Sequence, residues 1–222
     1  MKAGVLGRFD GSFSRLEPYR GSRRVDDQEL TDQIDVTGVA RTPDGVDITE
    51  GIAAREELAT VEAAAIEFDA ISFDSESDIV TRHTDFAVIP GELVVVESSD
   101  GLFLYDVLER AIGVSAERVS VPLDGVQSAF PNASIWKVGF YGRDEGAENG
   151  VLHGQDLQDD PAFAEYVSSG SLNQLGMHVT IDDETYNLYL SESGYFEIYE
   201  PRDLDTKEFL KFVRTHLQPH FS

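Results

Sequence analysis

The chain has 222 residues, 41% of them apolar and 10% aromatic, and its 42 acidic and 17 basic side chains leave a formal charge of −25. That apolar content excludes a wholly disordered chain, and the length suffices for a packed core. The absence of cysteine excludes a disulfide framework, a thiol nucleophile and any cysteine-held metal. No apolar run approaches the roughly 18 residues of a membrane span and no apolar leader opens the chain, so no membrane association is expected.

In chain order, residues 1–32 read as a basic, Gly/Ser-rich N-terminal arm ahead of an acidic body at 33–222. Residues 1–24 hold Lys2, Arg8, Arg15, Arg20, Arg23 and Arg24 against only Asp10 and Glu17. Gly4–Phe9 has the make-up of a short strand, while the rest of the segment shows neither the helical nor the strand period. A basic arm on an acidic body points to a macromolecular partner, nucleic acid or protein. Folding back onto the chain's own acids is the competing account.

Ile34–Arg41 and Val46–Ile52 alternate around Pro43-Asp44-Gly45, a hairpin signal. Ala53–Ala65 is rich in alanine and glutamate and predicts a helix, weakened by Thr60 and Val61. Ile66–Phe73 alternates as a strand. Asp85–Ile89 and Leu93–Glu97 flank the turn dipeptide Pro90-Gly91 and predict a second hairpin. After a turn at Ser98–Gly101, Leu102–Ile112 carries Phe103, Val107 and Ala111 at helical spacing and stops at Gly113. Val119–Leu123 is predicted as a short strand. Two lobes meeting near 115–132 are compatible with this pattern.

Ile135–Arg143 alternates as a strand, with Trp136, Val138 and Phe140 expected on one face and Lys137, Tyr141 and Arg143 on the other. Cations flanking an aromatic ring on an open sheet face suit stacking of single-stranded nucleic acid. Pairing of the two cations with neighbouring acids explains the same pattern. Val151–Gln155 follows a Gly-rich connection, and Asp160–Ser168 is predicted as a short helix with Pro161 in its first turn. Met177–Ile181, Thr185–Leu190 and Tyr195–Glu200 predict a meander turned at Asp182–Glu184 and at Ser193-Gly194. Within it Tyr195 and Tyr199 share one face, Phe196 and Ile198 the other. A helix capped by Asp203 or Asp205 then runs over Leu204–Gln218 to Pro219, with Leu210, Val213 and Leu217 as its apolar stripe.

Catalytic signals are sparse. His153 with Asp156 is the best general-base candidate, with Ser168, Ser169 and Ser171 downstream as hydroxyls, but no Gly-x-Ser-x-Gly elbow is present. His83-Thr84-Asp85 is weaker still. His216 and His220 are four apart with Pro219 between them, which breaks the helix that would align two metal ligands. No metal site, nucleotide loop or cofactor is expected.

Strands outnumber helices and are joined by tight turns, which predicts an α+β fold: mostly antiparallel sheet with about three to four helices, ending in a strand meander and an amphipathic C-terminal helix. Only Lys2, Lys137, Lys207 and Lys211 are lysines, and the acids are dispersed, which reads as adaptation to molar intracellular salt, where the Debye length is about 3 Å. The expected protein is a cytoplasmic, salt-adapted binding or regulatory protein that meets its partner through Arg8, Arg15, Arg20, Arg23 and Arg24, with Lys137, Tyr141 and Arg143 as a further contact. The alternatives are a small hydrolase or transferase centred on His153 and Asp156, and a homo-oligomeric structural module using the tyrosine-rich meander.

Overall fold

Successive side chains of a strand point to opposite faces, so a strand buried at every position must be covered on both. Leu93-Val94-Val95-Val96 is such a strand, buried throughout, and it marks the middle of the molecule. The computed structural model describes residues 1–42, 45–67, 70–142, 148–161, 163 and 171–222, with the backbone alone for 61–67 and 70–76. Its strands are β1 (Ala3–Phe9), β2 (Tyr19–Val25), β3 (Gln28–Arg41), β4 (Asp47–Glu67), β5 (Ala70–Ile89), β6 (Leu93–Val96), β7 (Ala116–Arg118), β8 (Ser134–Tyr141), β9 (Asn149–His153), β10 (Ser171–Ile181), β11 (Glu184–Ser191) and β12 (Tyr195–Glu200). Among the described residues the α-helices are α1 (Phe103–Ile112), α2 (Leu123–Ala129) and α3 (Thr206–Phe212).

All twelve strands belong to one antiparallel sheet in the order β2-β3-β4-β5-β6-β1-β12-β11-β10-β8-β9, with β7 also on β1. This overturns the mixed α+β expectation: 52% of the chain is strand and 21% helix, a large sheet with few helices. The main cause is Ala53–Ala65, which is not a helix but part of β4. Its positions pair with β5 throughout, from Ala53↔Thr84 to Ala65↔Ser72, and on the other side Ala53 and Arg55 pair with β3. Helix propensity separates residues by only about 0.7 kcal/mol, too little against a ladder with β5 along the whole segment and a second one with β3 at its start.

Smaller corrections follow the same logic. Ile66–Phe73 is not one strand, because β4 ends at Glu67 and β5 begins at Ala70, with Phe68 and Asp69 outside the described residues. Val119–Leu123 is not a strand: the strand there is β7, Ala116–Arg118, and Leu123 opens α2 behind Pro122, whose fixed φ suits a helix start. Of the predicted helix at Asp160–Ser168, only Pro161 and Phe163 are described as helical. Residues 1–32 are not a free arm but hold β1, β2 and the start of β3. The missed hairpin turns on Asp26-Asp27, both with positive φ, as a two-residue primed turn requires. The same chemistry at Asp182-Asp183 joins β10 to β11 where the sequence placed it. The hairpin at Pro90-Gly91 also forms, with Ile89 opposite Leu93.

Two cores lie on opposite faces of the sheet. Leu6, Leu93 and Val95 point into the larger one with Leu175, Met177, Leu188, Leu190, Phe196 and Ile198, and α3 with the turn after it seals it through Phe209, Leu210, Phe212, Val213 and Leu217. Asp205 caps α3 by a reciprocal capping box with Glu208. Phe9, Val94 and Val96 point the other way, with Ile34, Phe86 and Val88, under Leu104, Val107 and Leu108 of α1. Thus α1 covers one face over β3–β6, and α3 covers the reverse face over β8 and β10–β12. The side of β8, β10, β11 and β12 that continues the α1 face has no helix over it among the described residues.

Candidate functional site

The five arginines expected to meet a partner all face carboxylates of their own chain. Arg8 pairs with Glu117 at 2.7 Å, Arg15 with Glu17 at 2.9 Å and Arg24 with Asp27 at 3.0 Å, all exposed. Glu56 is held below the usual carboxylate range first by the Thr31 N–H and further by nearby Arg20. Arg23 is half-buried, donates to the Glu56 carbonyl and lies 3.6 Å from Asp32. Asp32 is itself buried and also receives Arg55 Nε at 3.0 Å and Arg110 Nη2 at 2.6 Å. Arg55 then reaches Asp106 at 3.1 Å and lies over the Phe103 ring. This cluster pins α1 to β2, β3 and β4, so Arg23 is a structural residue.

The uncovered face carries a different population. A β-bulge in β8 separates the pairs Gly176↔Lys137 and Met177↔Ile135, so two residues oppose one and the alternation slips. Ile135 and Val138 point into the core, and both residues between them face outward. Trp136, expected beside Val138 and Phe140, therefore stands on the outer face. Its ring lies where a Cβ on Gly176 would come within 2.6 Å of it, so only glycine leaves room there, and it meets Tyr199 edge-on at 6.1 Å. Lys137 holds its expected side, with Nζ 4.3 Å from the centre of the Tyr189 ring. Tyr189 in turn meets Tyr195 at 6.1 Å. Tyr141, 40% exposed, donates to Glu192 at 3.1 Å; Arg143 lies outside the described residues. Phe196 and Ile198 point to the core as predicted.

Two clefts share Tyr195. One, of about 370 Å³, is lined by Asn173, Gln174, Tyr189, Ser191, Glu192 and Ser193 with Tyr195. The other, of about 830 Å³, lies between the ends of β1 and β12 and the β4–β5 pair, with Ala3, Gly51 and Phe86 along it, Glu50, Asp85 and Glu97 as its carboxylates, and Met1 and Lys2 also in its lining. Among the described residues none of these three carboxylates has an arginine or lysine at ion-pair distance. No family model, no curated protein and no solved structure matches this chain.

Burial raises the Tyr189 and Tyr199 hydroxyls above their ordinary value and, with Glu197 beside it, pushes Tyr195 to about 12. The rings therefore stay neutral across any physiological range. Trp136 Nε1, Asn173 Oδ1 and Asn187 Oδ1 are buried polar atoms without a hydrogen-bond partner, and all three belong to this face of the sheet. The face thus offers aromatic surface and polar groups not used by the fold.

The hydrolytic candidates are not brought together. His153 is exposed on β9 opposite Lys137, and Asp156, also exposed, accepts from the Ser134 hydroxyl at 2.6 Å. Ser168 and Ser169 lie outside the described residues. His83 is exposed on β5. His216 is held by a π-turn at Val213–Leu217, packed on Phe212 at 4.9 Å, and burial lowers its pKa; His220 lies in the following turn. Among the described residues no group of three or more His, Asp or Glu side chains is arranged to hold a metal ion, and no helix is long and apolar enough to cross a membrane.

Proposed function

We propose that the chain is a binding protein for a macromolecular partner, that it works at high salt, and that its contact surface is the outer face of β8, β10, β11 and β12. The observation that carries this reading is the row Trp136, Lys137, Tyr189, Tyr195 and Tyr199 on a sheet face that no helix covers among the described residues. Aromatic rings with polar tips are the residues that carry binding energy at protein interfaces. In molar salt, long-range attraction is screened out and short-range stacking remains. The N-terminal arginines contribute less under this reading, since each faces a carboxylate of the chain.

The partner is a protein rather than a nucleic acid. Neutralising phosphates needs cations, whereas the described outer face offers Lys137 amid Glu192, Glu197 and Glu200. Recovery of partners from lysate in 2 M KCl, with and without nuclease, tests this. The Tyr189→Ser/Tyr195→Ser variant is expected to lose a nuclease-resistant partner that the Arg8→Gln/Arg15→Gln/Arg24→Gln variant retains. Loss with the arginine variant alone, or nuclease-sensitive recovery, overturns the proposal.

A further inference from the structure

We infer that the end of the β10–β11 hairpin and α3 form a second binding site, for a small amino-acid zwitterion with a basic side chain. The site lies on the reverse side of the sheet from Trp136 and does not depend on the binding reading above.

Two stretches of sequence build it. Glu184 and Tyr186 alternate with Leu188 along β11, so they point to the core side, where α3 lies. Glu208, Lys211, Phe212, Thr215 and His216 recur at the helical period, so α3 and the π-turn after it present them as one stripe. Between hairpin and stripe is a cleft of about 320 Å³, with Ile181, Leu204 and Phe212 as its apolar lining. That volume lies within the range of small-molecule sites. The rings in it form a continuous wall, since Phe212 meets Tyr186 at 5.0 Å and His216 at 4.9 Å. π-turns such as Val213–Leu217 recur at functional sites.

The charges decide the ligand. Glu208 accepts from the Asp205 N–H at 3.0 Å, within the helix cap, and Glu184 accepts from the Tyr186 hydroxyl at 2.8 Å. Asp182 and Lys211 stand near enough to His216 to act on its charge in opposite senses. Yet among the described residues neither has an ion-pair partner. An unpaired carboxylate and an unpaired ammonium beside aromatic rings match a ligand with both charges on a methylene stem. Its carboxylate meets Lys211, its α-ammonium meets Asp182, and the stem lies on Phe212 and Tyr186. Such contact pairs keep their attraction in molar salt, because they sit within the Debye length of about 3 Å. The cleft holds three carboxylates, Asp182, Glu184 and Glu208, against the one ammonium of Lys211. A second cationic group on the ligand therefore meets Glu184 or Glu208 beside the Tyr186 ring, where a cation–π contact adds to it, and an acidic amino acid is disfavoured.

Isothermal titration in 2 M KCl at neutral pH tests the site. L-Lysine is expected to bind one to one with a saturable curve, L-glutamate to give no saturable heat, and cadaverine, which has no carboxylate for Lys211, to bind about tenfold more weakly than lysine. The Lys211→Gln variant is expected to weaken L-lysine about tenfold and leave cadaverine unchanged, while Asp182→Asn weakens both. The remote Glu50→Gln and Tyr189→Ser/Tyr195→Ser variants are expected to bind L-lysine as the parent does. Equal weakening by Glu50→Gln and Asp182→Asn would mean diffuse attraction to an acidic coat and overturns the inference. No saturable binding of L-lysine overturns it too, as does equal affinity for cadaverine or for L-glutamate.

Discussion

At the scale of single residues, Asp32 is the side chain on which most depends. Its carboxylate, 2% exposed, is shared by Arg23, Arg55 and Arg110. Asp32→Asn leaves three guanidinium groups without their common partner, and removing one side of a buried pair costs about 3–5 kcal/mol. Urea unfolding in 2 M KCl is expected to show that loss, whereas Asp106→Asn, at an exposed carboxylate, is expected to cost less than about 1 kcal/mol. The tyrosines set the alkaline limit. Burial and neighbouring acids push Tyr186 and Tyr195 to about 12, above the ordinary value near 10 of the unfolded chain. Their stabilisation is therefore complete below pH 10 and is lost as pH rises towards 12. Absorbance at 295 nm, followed alongside the urea midpoint, checks this. His216 acts at the other end: burial lowers its pKa, so the folded state gains above about pH 6.5 and loses stability as pH falls below it. A His216→Gln variant is expected to flatten that acid slope. Sequence reading placed Lys137 and Tyr141 on one face and Tyr195 with Tyr199 on another without relating them. Trp136 went to the wrong side, because a single bulged residue reverses the alternation that such reading uses.

Secondary-structure elements were legible where one local signal decided them. Gly113, with φ 71°, stopped α1 as read, Pro90-Gly91 turned β5 into β6, and the stripe on α3 became the lid of the larger core. Elements failed where distant pairing decided them. β2 keeps a strand period, but Arg20, Ser22 and Arg24 carry its exposed side, so the alternation is invisible to a search for apolar residues. β4 looks helical in composition and is held extended by β3 and β5. Beyond Arg55 and before Arg82 these two strands pair only with each other among the described strands, a ribbon about 40 Å long at 3.4 Å per residue. Two-stranded ribbons are marginally stable alone, so amides at 57–60 and 77–80 are expected to exchange with solvent orders of magnitude faster than those of β6. Hydrogen exchange at uniform protection along β4 would contradict this. Glycine substitution tests the packing beneath the strands. A Cβ at Gly51 would come within 2.4 Å of the Asp35 carbonyl and 2.5 Å of the Phe86 ring, so Gly51→Ala is expected to cost about 1–3 kcal/mol.

For the whole molecule, charge and topology are the two governing facts. A net charge of −25 repels itself wherever salt does not screen it. Lowering KCl from 2 M to 0.1 M is expected to reduce Tm by several degrees, each kcal/mol amounting to about 2–4 °C for a chain of this size; an unchanged Tm would remove the case for salt adaptation. The antiparallel character was legible from tight turns, but the strand order was not, because no local pattern says that β1 lies between β6 and β12. That placement governs biosynthesis. Val5 pairs with Tyr195, 190 residues later, and ribosomes deliver about 5–20 residues per second. For about 10–40 s the nascent chain therefore presents to the surroundings one edge of its innermost strand, a seam that the finished protein hides.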